Sequence, residues 1–104
     1  YIVCTLVNTK QMMRFEWDEA KNTANIEKHG IDFEDAKDIF KHPILISEDT
    51  KHNYGESRWI GLGWIRSILG VVIYVERCGD VIRIISARKA TKRERKYYEQ
   101  SIEN

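Results

Sequence analysis

Residues 81–99, VIRIISARKATKRERKYYE, leave few ways to fold. Up to Arg88 apolar residues alternate with polar ones, the two-residue period of a strand. Thr91 then stands three residues before Glu94, the spacing of a capping box. The Thr hydroxyl accepts from the Glu94 amide there, while the Glu side chain accepts from the Thr91 N–H. The strand is therefore expected to end near Arg88 and a helix to start at Lys92. Arg83, Arg88, Lys89, Lys92 and Arg93 crowd this junction, and Arg95 and Lys96 follow within a turn. A helix N-terminus already favours anions. The junction is thus either a phosphate site or a solvated basic helix end.

The rest of the chain must supply what this strand and helix pack against. With 104 residues, 42% hydrophobic and 32% charged, the sequence suits one folded domain and not a disordered one. Phe15 and Trp17 frame a short first strand. Asp18 is an N-cap for a helix running to His29, with Ala20, Ala24 and Ile26 as its weakly apolar side and Gly30 as the closing glycine. Asp32 caps a second helix, FEDAKDIFK, whose Phe33, Ala36, Ile39 and Phe40 fall at helical spacing and which His42-Pro43 ends. A brief strand at 44–46, a polar loop at 48–55, and strands at 57–65, 68–77 and 81–88 follow, with a tight turn at Arg66-Ser67. This is an α+β fold, a small antiparallel sheet packed with helices in β-α-α-β-β-β-α order. Residues 1–13 look detached: Met12 and Met13 immediately precede the regular pattern. They are expected to be an N-terminal extension to a single domain at 14–104, with YIVCTLV as an added edge strand the alternative.

Register decides which side chains share a face. A two-residue turn at Gly79-Asp80 would set Glu76 opposite Arg83 and Tyr74 opposite Ile85. Val71, Ile73, Val75, Ile82 and Ile84 would then face the core. Val72, Tyr74, Glu76, Arg83, Ile85 and Ala87 would share the other side, with Glu76 and Arg83 as an ion pair.

Net charge is only +1, but it is unevenly spread. Residues 14–56 carry 6 Lys/Arg against 11 Asp/Glu, and residues 57–104 carry 10 against 5. Either the basic half meets a polyanion, or the halves attract one another. Cys4 and Cys78 have no zinc or redox spacing, no carboxylate or His/Cys set has ligand spacing, and no loop suits a cofactor. No apolar run is long enough to span a membrane, so the expectation is a cytoplasmic protein with neither metal nor cofactor.

Three blocks, FEWDEAKNTANIEKHGIDFEDAKDIFKHP at 15–43, GESRWIGLG at 55–63 and YVERCGDVIRIISARKATKRERKYYE at 74–99, resemble the BrnT toxins of BrnT–BrnA type II toxin–antitoxin modules. The resemblance spans residue 14 to about residue 99. It implies a compact RelE-like fold and an endoribonuclease that inhibits translation. It also implies a BrnA antitoxin with a ribbon-helix-helix region, which represses the operon together with the toxin. Contact with operator DNA would then run through the antitoxin, and a toxin homodimer would sit within a heterotetramer.

Metal-independent cleavage by the neighbouring 2′-hydroxyl needs a proton acceptor, a proton donor for the leaving 5′-oxygen, and cations on the phosphate. Arginine suits the last role because its planar fork grips two oxygens and keeps its charge. Arg83 and Arg58 are the first candidates, with Arg77, Arg88, Lys89 and Lys51 as further RNA contacts and Tyr74 as a base-stacking ring. For proton transfer the candidates are Glu76, Glu56 and His52. Each has an ordinary alternative: a surface ion pair, a soluble strand entry and an exposed loop histidine. His29 reads as structural, at a helix C-terminus. Two other readings stand beside catalysis: a non-catalytic nucleic-acid-binding protein, and an inactive toxin retained as co-repressor.

Overall fold

One mixed six-stranded sheet carries the molecule, and its two faces are buried by different helices. The computed structural model describes residues 2–5 (backbone), 13–49, 57–77 and 80–103. The strands are β1 (Ile2–Thr5), β2 (Arg14–Glu16), β3 (Pro43–Asp49), β4 (Arg58–Ile65), β5 (Ile68–Arg77) and β6 (Val81–Lys89), in the spatial order β1-β3-β4-β5-β6-β2. All neighbours are antiparallel except β2, which runs parallel to β6. Helix α1 (Glu19–His29) and helix α2 (Phe33–Ala36), which tightens into a 3₁₀ turn at Lys37–Lys41, lie between β2 and β3. Helix α3 (Lys92–Tyr98) follows β6. The α+β order expected for residues 14–104 is present, and the backbone of Ile2–Thr5 adds an edge strand against Ile46 to Pro43.

The local signals behave as their chemistry dictates. Asp18 accepts from the Ala20 and Lys21 amides to start α1, and Gly30 ends it at φ 73°, a left-handed conformation glycine adopts at no steric cost. Asp32 accepts from the Glu34 amide to start α2, and that bond together with one from Asn22 holds its carboxyl below the ordinary range. The Thr91–Glu94 capping box is formed in both directions, at 3.2 and 2.8 Å. Arg66 makes its turn at φ 53°. Asp38 accepts from its N–H at 2.7 Å and Asp35 from its Nε at 2.9 Å. Burial pushes the Asp38 carboxyl up, but the Arg66 amide and His42 outweigh it and hold it low.

The main core lies between α1–α2 and the sheet. Phe33, Ala36, Ile39 and Phe40 meet Ile44, Ile65, Val72, Tyr74, Ile82, Ile84 and Ala87. Helix α1 turns toward it differently from the apolar stripe expected of it. Asn22 and Asn25 are its buried residues, while Ala20 and Ala24 are exposed and Ile26 is 40% exposed. Each asparagine serves at least one backbone group outside the helix. Asn25 Oδ1 accepts from the Ala87 N–H at 3.1 Å, and its Nδ2 donates to the Ala87 and Ile31 carbonyls, both at 2.9 Å. Asn22 accepts from the Phe33 amide at 2.9 Å and donates to Asp32 at 3.0 Å. A helix with few large apolar residues is thus anchored by amide groups.

The expected β5–β6 register holds only far from the turn. Gly70 to Ile73 pair with Lys89 to Ser86 as predicted, but Tyr74 pairs with Ile84, Val75 with Arg83 and Glu76 with Ile82. A bulge leaves Ile85 as the extra residue. Tyr74 and Val72 therefore belong to the main core, and Val71 packs on the opposite face with Leu45, Leu62, Leu69 and Tyr98. The sequence could not show this because β5 is buried on both faces. A strand of that kind reads as a continuous apolar run with no informative alternation. The turn assignment at Gly79 lies outside the described residues.

Replacing Asn25 by Ala would strand the Ala87 N–H and C=O in a buried position. Such a variant should lose about 2–4 kcal/mol of stability, measured by urea unfolding, whereas Ile26→Ala should lose under about 1 kcal/mol.

Candidate functional site

Among the described residues, α3 is the helix that packs on the sheet face away from α1, and it covers one end of that face. Helix α3 lies over Leu45, Leu62, Leu69 and Val71 through Tyr98, whose hydroxyl donates to the Pro43 carbonyl at 2.9 Å. Tyr98 meets Trp64 edge-on at 6.4 Å, and the Arg95 guanidinium stacks 5.5 Å from the Trp64 ring centre. Toward the other end of the same face, strand alternation sets out a row of charged residues. Asp49 pairs with Arg58, and Val75 pairs with Arg83, which pairs with Glu16. Extending the β4–β5 register by one residue sets Arg58 beside Val75. In the next row Arg77, Val81 and Arg14 are neighbours.

Arg58 and Arg83 therefore stand two strands apart, roughly 10 Å between backbones. That separation lets two long guanidinium side chains converge on one anion above Val75, itself only 3% exposed. Arg83 donates from Nη1 to Glu16 Oε2 at 2.5 Å, with 28% and 43% of the two side chains exposed. Glu16 is the residue that the sequence reading missed. Nothing local marks it, because a parallel pairing across 67 residues brings it to Arg83.

Several expected site residues are elsewhere. Glu76 does not pair with Arg83. The bulge places it opposite Ile82, and by alternation it shares the face of Tyr74. Tyr74 cannot stack on a base: it is 2% exposed and packs edge-on against Phe40 at 5.0 Å. Arg88 reaches the same face as Arg83, although five positions separate them, because the bulge at Ile85 corrects the parity. It is engaged there by Glu94, with Nη1–Oε1 at 2.8 Å and Nη2–Oε2 at 2.9 Å. This fork-to-fork pair ties the end of β6 to the first turn of α3, so Arg88 is a strut. Lys89 is exposed beside it, and Arg77 is exposed on the open face. Lys51, His52 and Glu56 lie outside the described residues. Among the described residues no three His, Cys, Asp or Glu side chains gather as a metal site, and no helix is long and apolar enough to cross a membrane.

The Arg88 guanidinium, bonded directly to the Glu94 carboxylate, is the main reason that carboxyl stays below its ordinary 4.5. A carboxyl lowered on folding stabilises above its unfolded value, and the gain is lost as pH falls through the folded value. Glu94→Gln keeps a capping side chain and removes the charge. Its stability deficit should be about 1 kcal/mol at pH 7, should shrink as pH falls below the ordinary 4.5, and should vanish once pH passes below the lowered folded value, as read by thermal melts across pH.

The comparisons with known proteins bear on the family and the fold. A family model described as "Ribonuclease toxin, BrnT, of type II toxin-antitoxin system" matches residues 17–94. The crystal structure of the Brucella abortus ribonuclease toxin BrnT superposes with a TM-score of 0.62 at 28% identity, covering 78% of this chain and 100% of that one. No curated protein matches the sequence. The matched span takes in α1, α2, strands β3 to β6 and the first turn of α3. The chain belongs to the BrnT family of ribonuclease toxins of type II toxin–antitoxin systems.

Proposed function

We propose that this protein is a metal-independent endoribonuclease that inhibits translation by cutting RNA on the open half of its α3 face. The observation that carries the reading is the row holding Arg58 and Arg83, two half-buried arginines that flank Val75 on one face of the sheet, two strands apart. The RNA 2′-hydroxyl attacks the adjacent phosphorus, the 5′-oxygen leaves, and a 2′,3′-cyclic phosphate forms. Arg58 and Arg83 hold the phosphate while negative charge builds on its oxygens, and Arg77 follows the flanking backbone, whereas Lys89 alternates to the other face and has no part. Lys51 supplies a further phosphate contact. For the proton transfers, His52 and Glu56 have the advantage of sequence position, in the segment that joins Asp49 to Arg58. Glu76 and Tyr74 have no part, for the reasons of face and burial given above.

The partner in this reading is a BrnA-like antitoxin that silences the enzyme by covering the same arginine face. A small protein offers few other ways to be inhibited completely. Charge complementarity supports it: acidic residues of an antitoxin would meet Arg14, Arg58, Arg77 and Arg83 on one surface.

The test is cleavage of RNA by the antitoxin-free protein with EDTA present. Cleavage with 2′,3′-cyclic phosphate ends is expected, and Arg83→Ala should lower kcat by about 10²–10³-fold without lowering the melting temperature. Activity that EDTA abolishes and a divalent ion restores would overturn metal independence. RNA binding without cleavage by any form would replace catalysis with binding alone.

A further inference from the structure

Arg83 is held at one corner. Its Nη1 donates to Glu16, and no other hydrogen bond engages it among the described residues. A guanidinium has two forks, and the one left over is the Nε–Nη2 edge, whose parallel N–H groups match two oxygens of a phosphate. Glu16 is itself well placed to hold that corner. It sits on β2 directly beside Arg83 in the parallel ladder. The residue before it, Phe15, is packed against Phe40 at 5.5 Å, and Arg14 donates its N–H to the Asp80 carbonyl at 3.1 Å. The carboxylate is therefore carried by a short strand whose two preceding residues are anchored, while the pair stays partly open to solvent.

A partly exposed ion pair of this kind adds little to stability, so its geometry has another use. We propose that Glu16 is the positioning residue for Arg83: it grips Nη1 and fixes the guanidinium plane so that the Nε–Nη2 edge meets the scissile phosphate. This rests on the reading of Arg83 as a phosphate-holding arginine. Glu16 touches neither the phosphate nor the reacting oxygens and acts only through Arg83.

The experiment is a double-mutant cycle on RNA cleavage by the purified, antitoxin-free protein, using Glu16→Ala, Glu16→Gln, Arg83→Ala and the Glu16→Ala/Arg83→Ala pair. Glu16→Ala should lower kcat by roughly 10–100-fold with little change in KM, because the arginine remains but is misaligned. Glu16→Gln should recover most of the rate, since its amide oxygen still accepts from Nη1, and its pH–rate profile should match the unmodified protein. In the Arg83→Ala background the Glu16→Ala change should cost nothing further.

Three results would overturn the proposal while leaving Arg83 in place: wild-type kcat in Glu16→Ala, an equal further loss in the Arg83→Ala background, or loss of the acidic limb of the pH profile in Glu16→Gln. The last would make Glu16 the proton acceptor instead. Wild-type cleavage by Arg83→Ala would remove the underlying reading of Arg83 and the proposal with it.

Discussion

The fold depends on one side-chain amide. Strand β6 runs nine residues, but its parallel neighbour β2 covers only its first three. Beyond them, at Ala87, the outer edge of β6 would present a buried N–H and C=O to nothing. Asn25 fills that gap by accepting from one and donating to the other, the pair of bonds a further strand residue would have made. A buried, unsatisfied backbone group is costly enough that this site tolerates little but an asparagine. The same bonds seat α1 against the sheet, and Asn22 carries the effect on into the start of α2. The main core closes because these amides hold its lid.

The second constraint is the bulge at Ile85. In a regular strand, Arg83 and Arg88 would project from opposite faces, as would Ile84 and Ala87. The extra residue brings both arginines to the α3 face and both apolar residues to the main core. It thereby sharpens the division of the sheet into a buried side and a half-open, basic side. Helix α3 finishes that division by covering one end of the basic side.

The cations along residues 81–99 meet quite different fates as a result. Arg88 braces α3 through Glu94, and Arg95 lies over Trp64, while Arg83 is held by Glu16 on the open half. The acidic first half and basic second half of the chain do attract one another, at Arg66 with Asp35 and at Arg83 with Glu16. The register also sets Arg14, Arg58 and Arg77 on one face of the sheet.

What the sequence determined by itself was local. Asp18, Asp32, Thr91 and Glu94 mark helix starts because capping bonds join residues two or three apart. Gly30 and Arg66-Ser67 mark stops and turns for equally short-range reasons. Those signals placed the helices and β6 closely, and three long blocks carried the family. Only the tertiary structure decided which faces those elements show. The parity of β5 was hidden because both of its sides are buried, and the bulge that moved Glu76 and Arg88 leaves no mark in residue type. Asn25 read as a polar helix position until β6 arrived beside it, 62 residues later. Glu16 likewise gained its partner only from a parallel pairing that local chemistry does not encode.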